Sequence, residues 1–495
     1  MKKKALTFFL MLVMAVSVVL SGCSSKESSG AASGGDSKDK PYEITMAYLY
    51  FTKIDDLPAV QAEINKITKK KINATVKLMP IEAAAWQQQS TLLLTGNEKV
   101  DLMLATGTAG YSLPATKGQF LPLDDLLKKY GKGIIDAVPQ HVLDGAKIDG
   151  KIYGVPSIRD FAANYGFVMR KDIVDKYHID LSKIKSFEDL TNVFKTVKEN
   201  EPGMAPIANT GTFNQPAMVI DGGNFDYLGD SLGAVSFKEK KVVNLFQQPE
   251  YVKSVDLARQ WYQAGYTLKN AANITDATVS MVKSGKGFGY FSHMKPGFAL
   301  QESAMTGHEM VAVTFTKPYS YTDAAIGLNL AITRNSQNPE KAMQFLNLLY
   351  TDKDIINLLT NGIEGKHYQV TSDGTIQLPD GVKESKYVFN QWELGNNTLS
   401  DVWKGNLVNY WDELVKFNDS AVISPAFGFQ FNPDPVKTEI AASTNVINQY
   451  KAALEAGALD PNKAFPEFNK KLKAAGIDKI IAEKQKQFDK WKKNN

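Results

Sequence analysis

Residues 100–105 read Val100-Asp101-Leu102-Met103-Leu104-Ala105. The run is nearly continuous in apolar residues and short, which suits a strand buried on both faces rather than one washed by solvent on one side. Upstream of it the pattern alternates. Residues 43–49 predict a strand, and residues 56–70 a helix with Leu57, Val60, Ile64 and Ile67 at helical spacing. Residues 74–80 predict a second strand and residues 82–95 a second helix that stops at Gly96. Strand, helix, strand, helix, strand implies parallel pairing and an open α/β sheet. Ligands of such sheets sit beyond the carboxyl ends of the strands, so loops 50–55 and 106–112 are the first to consider.

A second α/β unit is expected after Lys151-Ile152-Tyr153-Gly154-Val155-Pro156. The pattern predicts strands at 165–169, 205–209 and 286–292, and helices at 186–199 and 249–264, the latter ending at Gly265. A further apolar strand is expected at 324–333. A helix is expected at 338–350, with Asn338 as its cap and Pro339 at its first position. From Val436 onward the chain predicts lysine-rich helices whose charges form a solvated face.

The amino terminus carries a different signal. Lys2, Lys3 and Lys4 precede an apolar stretch from Ala5 to Leu20, which ends in Leu20-Ser21-Gly22-Cys23. A basic segment, a short apolar segment and small residues before a cut make a secretory signal. The run resembles a bacterial lipobox, in which the cysteine thiol receives diacylglycerol and becomes the new amino terminus. The alternative is an ordinary signal with a chance cysteine. Residues 24–41 hold six Ser, three Gly and no aromatic, too little apolar surface to offset their ordering entropy, so they predict a tether. Its reach is roughly 23 Å on average.

The chain carries 57 basic and 53 acidic side chains. Without Lys2 to Lys4 the balance is 54 against 53, a net of +1, which argues against a nucleic-acid binder. Cys23 is the only cysteine, so no thiol remains for a disulfide or for catalysis once it is acylated. A body of about 455 residues exceeds one ordinary domain and predicts two lobes or more.

Several stretches resemble the extracellular solute-binding proteins of ABC importers, the maltose-binding-protein-like class. They are Asp101 to Gly107, Gly118-Gln119-Phe120-Leu121-Pro122-Leu123-Asp124, Asp149 to Pro156, Met169-Arg170-Lys171-Asp172, Ser284 to Ser292 and Asn338 to Asp352. Gly362 to Tyr368 and Pro425-Ala426-Phe427-Gly428-Phe429 resemble a narrower group, lipoprotein receptors of Gram-positive bacteria with a region known as domain of unknown function 3502.

The resemblance implies a two-lobed α/β fold of the periplasmic-binding-protein-like type II, with hinge crossings, a ligand cleft between the lobes and extra C-terminal helices. The expected division is signal 1–22, tether 23–41, lobe one 42–155 plus about 298–337, lobe two 156–297 plus about 338–435, and C-terminal helices 436–495, within a region of unknown function from about 360 to 495. It also implies an ABC permease as partner and an oligosaccharide as ligand. The body is expected to act as a monomer, held at the outer face of a Gram-positive cell membrane through the lipid on Cys23 alone.

Other chemistries lack support. The five histidines stand at no zinc-ligand spacing, and neither a Walker loop nor a G-x-S-x-G elbow occurs. No cofactor, metal or catalytic residue is expected. Two facing carboxylates of a glycan hydrolase escape sequence reading among 53 acids, and a same-fold receptor for a peptide or an anionic solute stays open.

A sugar offers apolar C–H faces and a rim of hydroxyls, so its site needs flat aromatic walls and a few fixed polar groups. Aromatics in loops beyond strand ends are the candidates: Tyr50 after the first strand, Tyr111 after the third, and Tyr165 near the first crossing, beside Arg159 and Asp160. Phe225 and Tyr227 stand in the glycine-bracketed loop 222–229. Phe291 and His293 begin the loop after a second-lobe strand, which by the resemblance faces the cleft; His293 fits a hydrogen-bond role better than metal ligation. Glu364, Trp392, Trp403 and Phe427 complete the set. For every aromatic the competing reading is core packing, which is preferred for Trp86 and Trp261. Glu364 serves equally as the brace of a tight Gly-x-Glu-Gly turn.

Overall fold

The computed structural model describes residues 40–212 and 214–494. The expected signal, Cys23 and nearly all of the expected tether lie outside the described residues. Two separate sheets organise the chain from Pro41 on.

The first sheet runs in the order Ala74–Glu82, Tyr42–Tyr50, Leu102–Ala105, Asn329–Ile332, Gly154–Pro156. The first three strands pair in parallel, with Met46 opposite Leu78 on one side and Leu102 on the other. All four residues of Leu102–Ala105 are buried, as a strand covered on both faces must be. The acid in that stretch acts as a staple. Asp101 is fully buried, and its carboxylate accepts from the Thr45 amide at 2.9 Å, the Tyr42 hydroxyl at 2.8 Å and the Ser336 hydroxyl at 2.6 Å. A buried carboxylate is tolerable when its oxygens are filled in this way.

The second sheet runs Met310–Thr314, Asn164–Arg170, Gly287–Met294, Ala205–Ile207. Gly166 lies where these strands press closest. A methyl group there would stand 2.0 Å from the Val313 carbonyl oxygen. The sheet covers a core in which Phe167, Phe194, Trp261 and Phe291 meet.

Two expectations about the lobes need correction. Residues 298–314 belong to lobe two, because Met310–Thr314 pairs antiparallel with Asn164–Arg170. Residues 339–394 belong largely to lobe one. Phe345, Leu346 and Leu349 of helix Pro339–Thr351 share a core with Ile44 and Leu104, and the Tyr350 hydroxyl donates to the Pro156 carbonyl at 2.7 Å. The expected strand at 324–333 is shortened as well. Asp323–Ile326 winds as a helical turn that buries Ala325 and Ile326, and only Asn329–Ile332 enters the sheet, antiparallel to its neighbours. Its apolar residues satisfy a turn and a strand equally.

The chain passes between the sheets after Pro156 and again after Thr314. A third passage runs beside the second, where Val422–Ile423 pairs in parallel with Tyr319–Ser320. Beyond it, helices Lys437–Glu455, Pro461–Ala475 and Ile477–Asn494 pack on lobe two, with Phe468, Leu472 and Ile480 against Phe246, Tyr251 and Val255. Gly457 makes this joint possible. Its φ is +75°, and a methyl group on it would stand 2.2 Å from the Ala258 carbonyl oxygen. Gly457→Ala is expected to destabilise the protein by more than about 1 kcal/mol, from the left-handed backbone alone before the overlap is added. A urea midpoint equal to wild type would refute the close approach.

Candidate functional site

Two adjoining hollows open where the crossings meet. The larger has a volume of about 950 Å³ and the smaller about 420 Å³. Tyr165, Tyr321 and Asp323 line both and form the wall between them.

That wall is aromatic because the two crossings deliver three tyrosines to one place. The ring centroids of Tyr165 and Tyr321 lie 6.4 Å apart, edge to face, and those of Tyr319 and Tyr321 lie 6.5 Å apart at 30°. Phe237 packs edge-on against Tyr319 at 5.1 Å. The glycines of loop 222–229 explain the approach. A methyl group on Gly222 would meet the Tyr165 ring at 2.3 Å, and one on Gly223, where φ is +92°, would meet Tyr319 at 2.4 Å. Only a backbone without side chains lies flat on these rings.

The larger hollow receives residues from both lobes. Gly107 and Thr108 come from the loop after Leu102–Ala105, where Thr108–Ser112 winds as a π-helical turn, and Phe225 to Ser231 come from lobe two. Buried Asp226 accepts from the Thr322 amide at 2.9 Å, and the Thr322 hydroxyl lies 2.6 Å from the Ala426 carbonyl. One node thus joins lobe two to the second and third crossings. The Tyr227 hydroxyl donates to Asp221 at 2.7 Å. Burial pushes the Asp221 carboxyl up to about 8, against the opposing hydrogen bonds of Tyr227 and Asn224. Asp323 is open to solvent but lies deep between protein walls. That crowding first, and the neighbouring Asp226 second, raise its carboxyl to about 6.

The smaller hollow is polar. Arg159 Nε lies 2.5 Å from Asp160 Oδ1, and Lys295 Nζ lies 3.0 Å from Asp160 Oδ2. Burial works against ionisation of Asp160, but the charges of Arg159 and Lys295 outweigh it and hold the carboxyl below its ordinary value. His293, exposed, stands on the rim, with Nδ1 3.4 Å from Asn214 Oδ1.

Of the expected contacts, the structure brings Arg159, Tyr165, Phe225, Tyr227 and His293 to these hollows. Seven are elsewhere. Tyr111 is fully buried and braces lobe one, its hydroxyl donating to the Ala146 carbonyl at 2.6 Å and accepting from the Gly154 amide. Phe291 is fully buried and stacks on Trp261 at 5.3 Å and 15°. Tyr50, half-buried, ends the first strand outside either hollow. Exposed Glu364 lies outside either hollow, in a turn closed by the backbone, the Gly365 amide donating to the Tyr368 carbonyl. Trp392 packs against Phe51, Trp403 donates from its indole to Asn361 at 3.0 Å, and Phe427 rests on Gly145 beside His141. These three cover lobe one because their segment lies on its surface. Tyr319, Tyr321, Lys295 and Asp323 escaped the sequence reading. The clustering of aromatics in Lys317-Pro318-Tyr319-Ser320-Tyr321 was the available sign.

Among the described residues no group of acidic, histidine or cysteine side chains is arranged to hold a metal ion, and no helix is long and apolar enough to cross a membrane.

Comparison with known proteins agrees with this architecture. Residues 52–355 match the family described as bacterial extracellular solute-binding protein, and residues 425–493 match a domain of unknown function, DUF3502. A carbohydrate ABC transporter substrate-binding protein of Streptococcus pneumoniae serotype 4 is 31% identical over 97% of both chains. Lipoprotein LipO of Bacillus subtilis is 22% identical over 77% of this chain and 75% of its own. Among solved structures, the N-glycan transport solute-binding protein NgtS of Streptococcus pneumoniae superposes with a TM-score of 0.82 at 28% identity, over 92% of this chain and 99% of that one. Its complexes with Man1GlcNAc and Man5GlcNAc superpose at 0.69. With two lobes, crossings between them and a cleft at their junction, this chain belongs to the bacterial extracellular solute-binding proteins, which bind substrates for ABC transporters and are not enzymes.

Proposed function

We propose that this protein is the oligosaccharide receptor of an ABC importer, tethered to the outer face of the membrane by lipid on Cys23 and acting as a monomer that delivers its ligand to the permease. The observation that carries the reading is the tyrosine wall at the hinge. Tyr319 and Tyr321 lie in the second crossing and Tyr165 stands where the first crossing enters its strand, so a sugar stacked there touches the elements that must bend when the lobes close. Ring faces suit the C–H faces of a pyranose, and Asp323 and Arg159 suit its hydroxyls.

Closure follows from differential affinity. A ligand that touches both lobes binds the closed form better and shifts the population toward it. The NgtS comparison supports such a motion. TM-scores of 0.82 and 0.69 against one protein at one identity require its structures to differ in shape, as rotation of lobes would make them.

Isothermal titration of neutral oligosaccharides, Man5GlcNAc among them, tests the assignment, and absence of heat from every neutral glycan would sink it. Tyr165→Ala is expected to weaken binding by about 2 kcal/mol, roughly thirtyfold, as truncation of a central aromatic contact does. An unchanged Kd would remove the tyrosine wall from the site.

A further inference from the structure

One wall of the larger hollow belongs to the C-terminal helices. Helix Lys437–Glu455 turns Ile440, Ile447, Asn448 and Lys451 toward it. Positions 440, 447, 448 and 451 fall on a single helical face. We propose that the C-terminal region, which matches the domain of unknown function, is part of the carbohydrate site, and that Asn448 and Lys451 decide which oligosaccharide the cleft retains. The proposal rests on the oligosaccharide-receptor reading.

Lys451 is built as a fixed donor rather than a swinging surface lysine. Its side chain is 18% exposed, and its ammonium donates to Glu455 Oε2 at 3.0 Å. Glu455 is fully buried, and its other oxygen accepts from the Tyr251 hydroxyl at 3.1 Å. Both carboxylate oxygens are therefore engaged from within the protein. An ammonium has three N–H donors, so the one committed to Glu455 leaves two to aim into the hollow at ligand oxygens. Asn448, one turn back, is exposed and presents a donor and an acceptor together. Ile440 and Ile447 lie beside them, so this wall pairs apolar surface with fixed polar groups, the combination that a pyranose requires.

A second helix of the same region acts by positioning. Lys484, fully buried on Ile477–Asn494, donates to Asp230 at 2.6 Å and to the Gly233 carbonyl at 3.3 Å, and it stands 5.1 Å above the Phe431 ring. Asp230 and Phe431 line the larger hollow. The C-terminal helices thus face the ligand on one side and hold the loop that faces it on the other.

The test is titration of Man5GlcNAc into the full chain and into Asn448→Ala, Lys451→Met and Gln449→Ala, with the thermal midpoint of each. Lys451→Met should raise Kd at least about tenfold, as loss of a charged hydrogen bond does, and Asn448→Ala roughly three- to tenfold. Exposed Gln449 does not line the hollow and should leave Kd unchanged. Lys451→Met also strips a partner from a buried carboxylate, so if it fails to fold, exposed Asn448→Ala decides the matter with an unchanged midpoint. If the wild type binds Man5GlcNAc and both variants match it within about twofold, the C-terminal wall is overturned while the receptor reading stands. If the wild type binds no neutral oligosaccharide, both fall.

Discussion

Phe291→Ala is expected to lower folding stability by about 3–5 kcal/mol and leave oligosaccharide affinity of the folded protein intact. The ring is fully buried and is enclosed by Trp261 at 5.3 Å, Phe167 at 4.9 Å and Phe194 at 6.1 Å. Its own amide donates to the Asn209 side chain at 2.9 Å, so the backbone is pinned and the core has little freedom to collapse into the space. The cost is lost transfer free energy plus a residual cavity. In a lobe of this size a loss of that order lowers the thermal midpoint by roughly 10 °C. Titration at a temperature well below the new midpoint separates the two roles. A weaker Kd with an unchanged midpoint would return Phe291 to the cleft.

The second large effect is on the pH dependence of stability. Asp221 and Glu393 are each about 1% exposed, and burial is the main cause that pushes both carboxyls up to about 8. The folded protein therefore keeps both protonated at neutral pH, whereas the unfolded chain ionises them near pH 4. Unfolding releases protons between those values. Stability falls as pH rises from about 4 to about 8, by up to about 1.4 kcal/mol per unit for each group, and levels off above. Urea unfolding at about pH 5 and about pH 9 should show the more stable protein at the lower value. Glu393→Gln should flatten that slope and exceed wild type in stability at about pH 9. A variant with the wild-type slope would show that Glu393 titrates normally.

The alternation of strand and helix before residue 105 was legible because its periods are clean and its partners are near in sequence. Tyr111 and Phe291 were not, for a physical reason. Phe291 lies in Gly287–Met294, where seven of eight residues are buried. A strand covered on both faces carries no alternation to say which side is the cleft. Tyr319 and Tyr321 lie in a crossing, where no periodic pattern exists. The lobe boundaries failed for a related reason. Helix Pro339–Thr351 has a clear apolar face, but a face does not name the sheet that it covers. Lys451 and Asp230 line one hollow from positions over two hundred residues apart, and no local pattern encodes such a meeting.

The strand Asn329–Ile332 sits between Leu102–Ala105 and Gly154–Pro156, and this insertion dictates an order of assembly. A polypeptide that emerges amino end first presents four strands of that sheet with a slot one strand wide, open until some 330 residues have followed. The other sheet is complete once Met310–Thr314 arrives. The sheet formed within residues 164–314 can therefore close first, while the sheet begun at the amino end waits, edges unpaired, for its keystone.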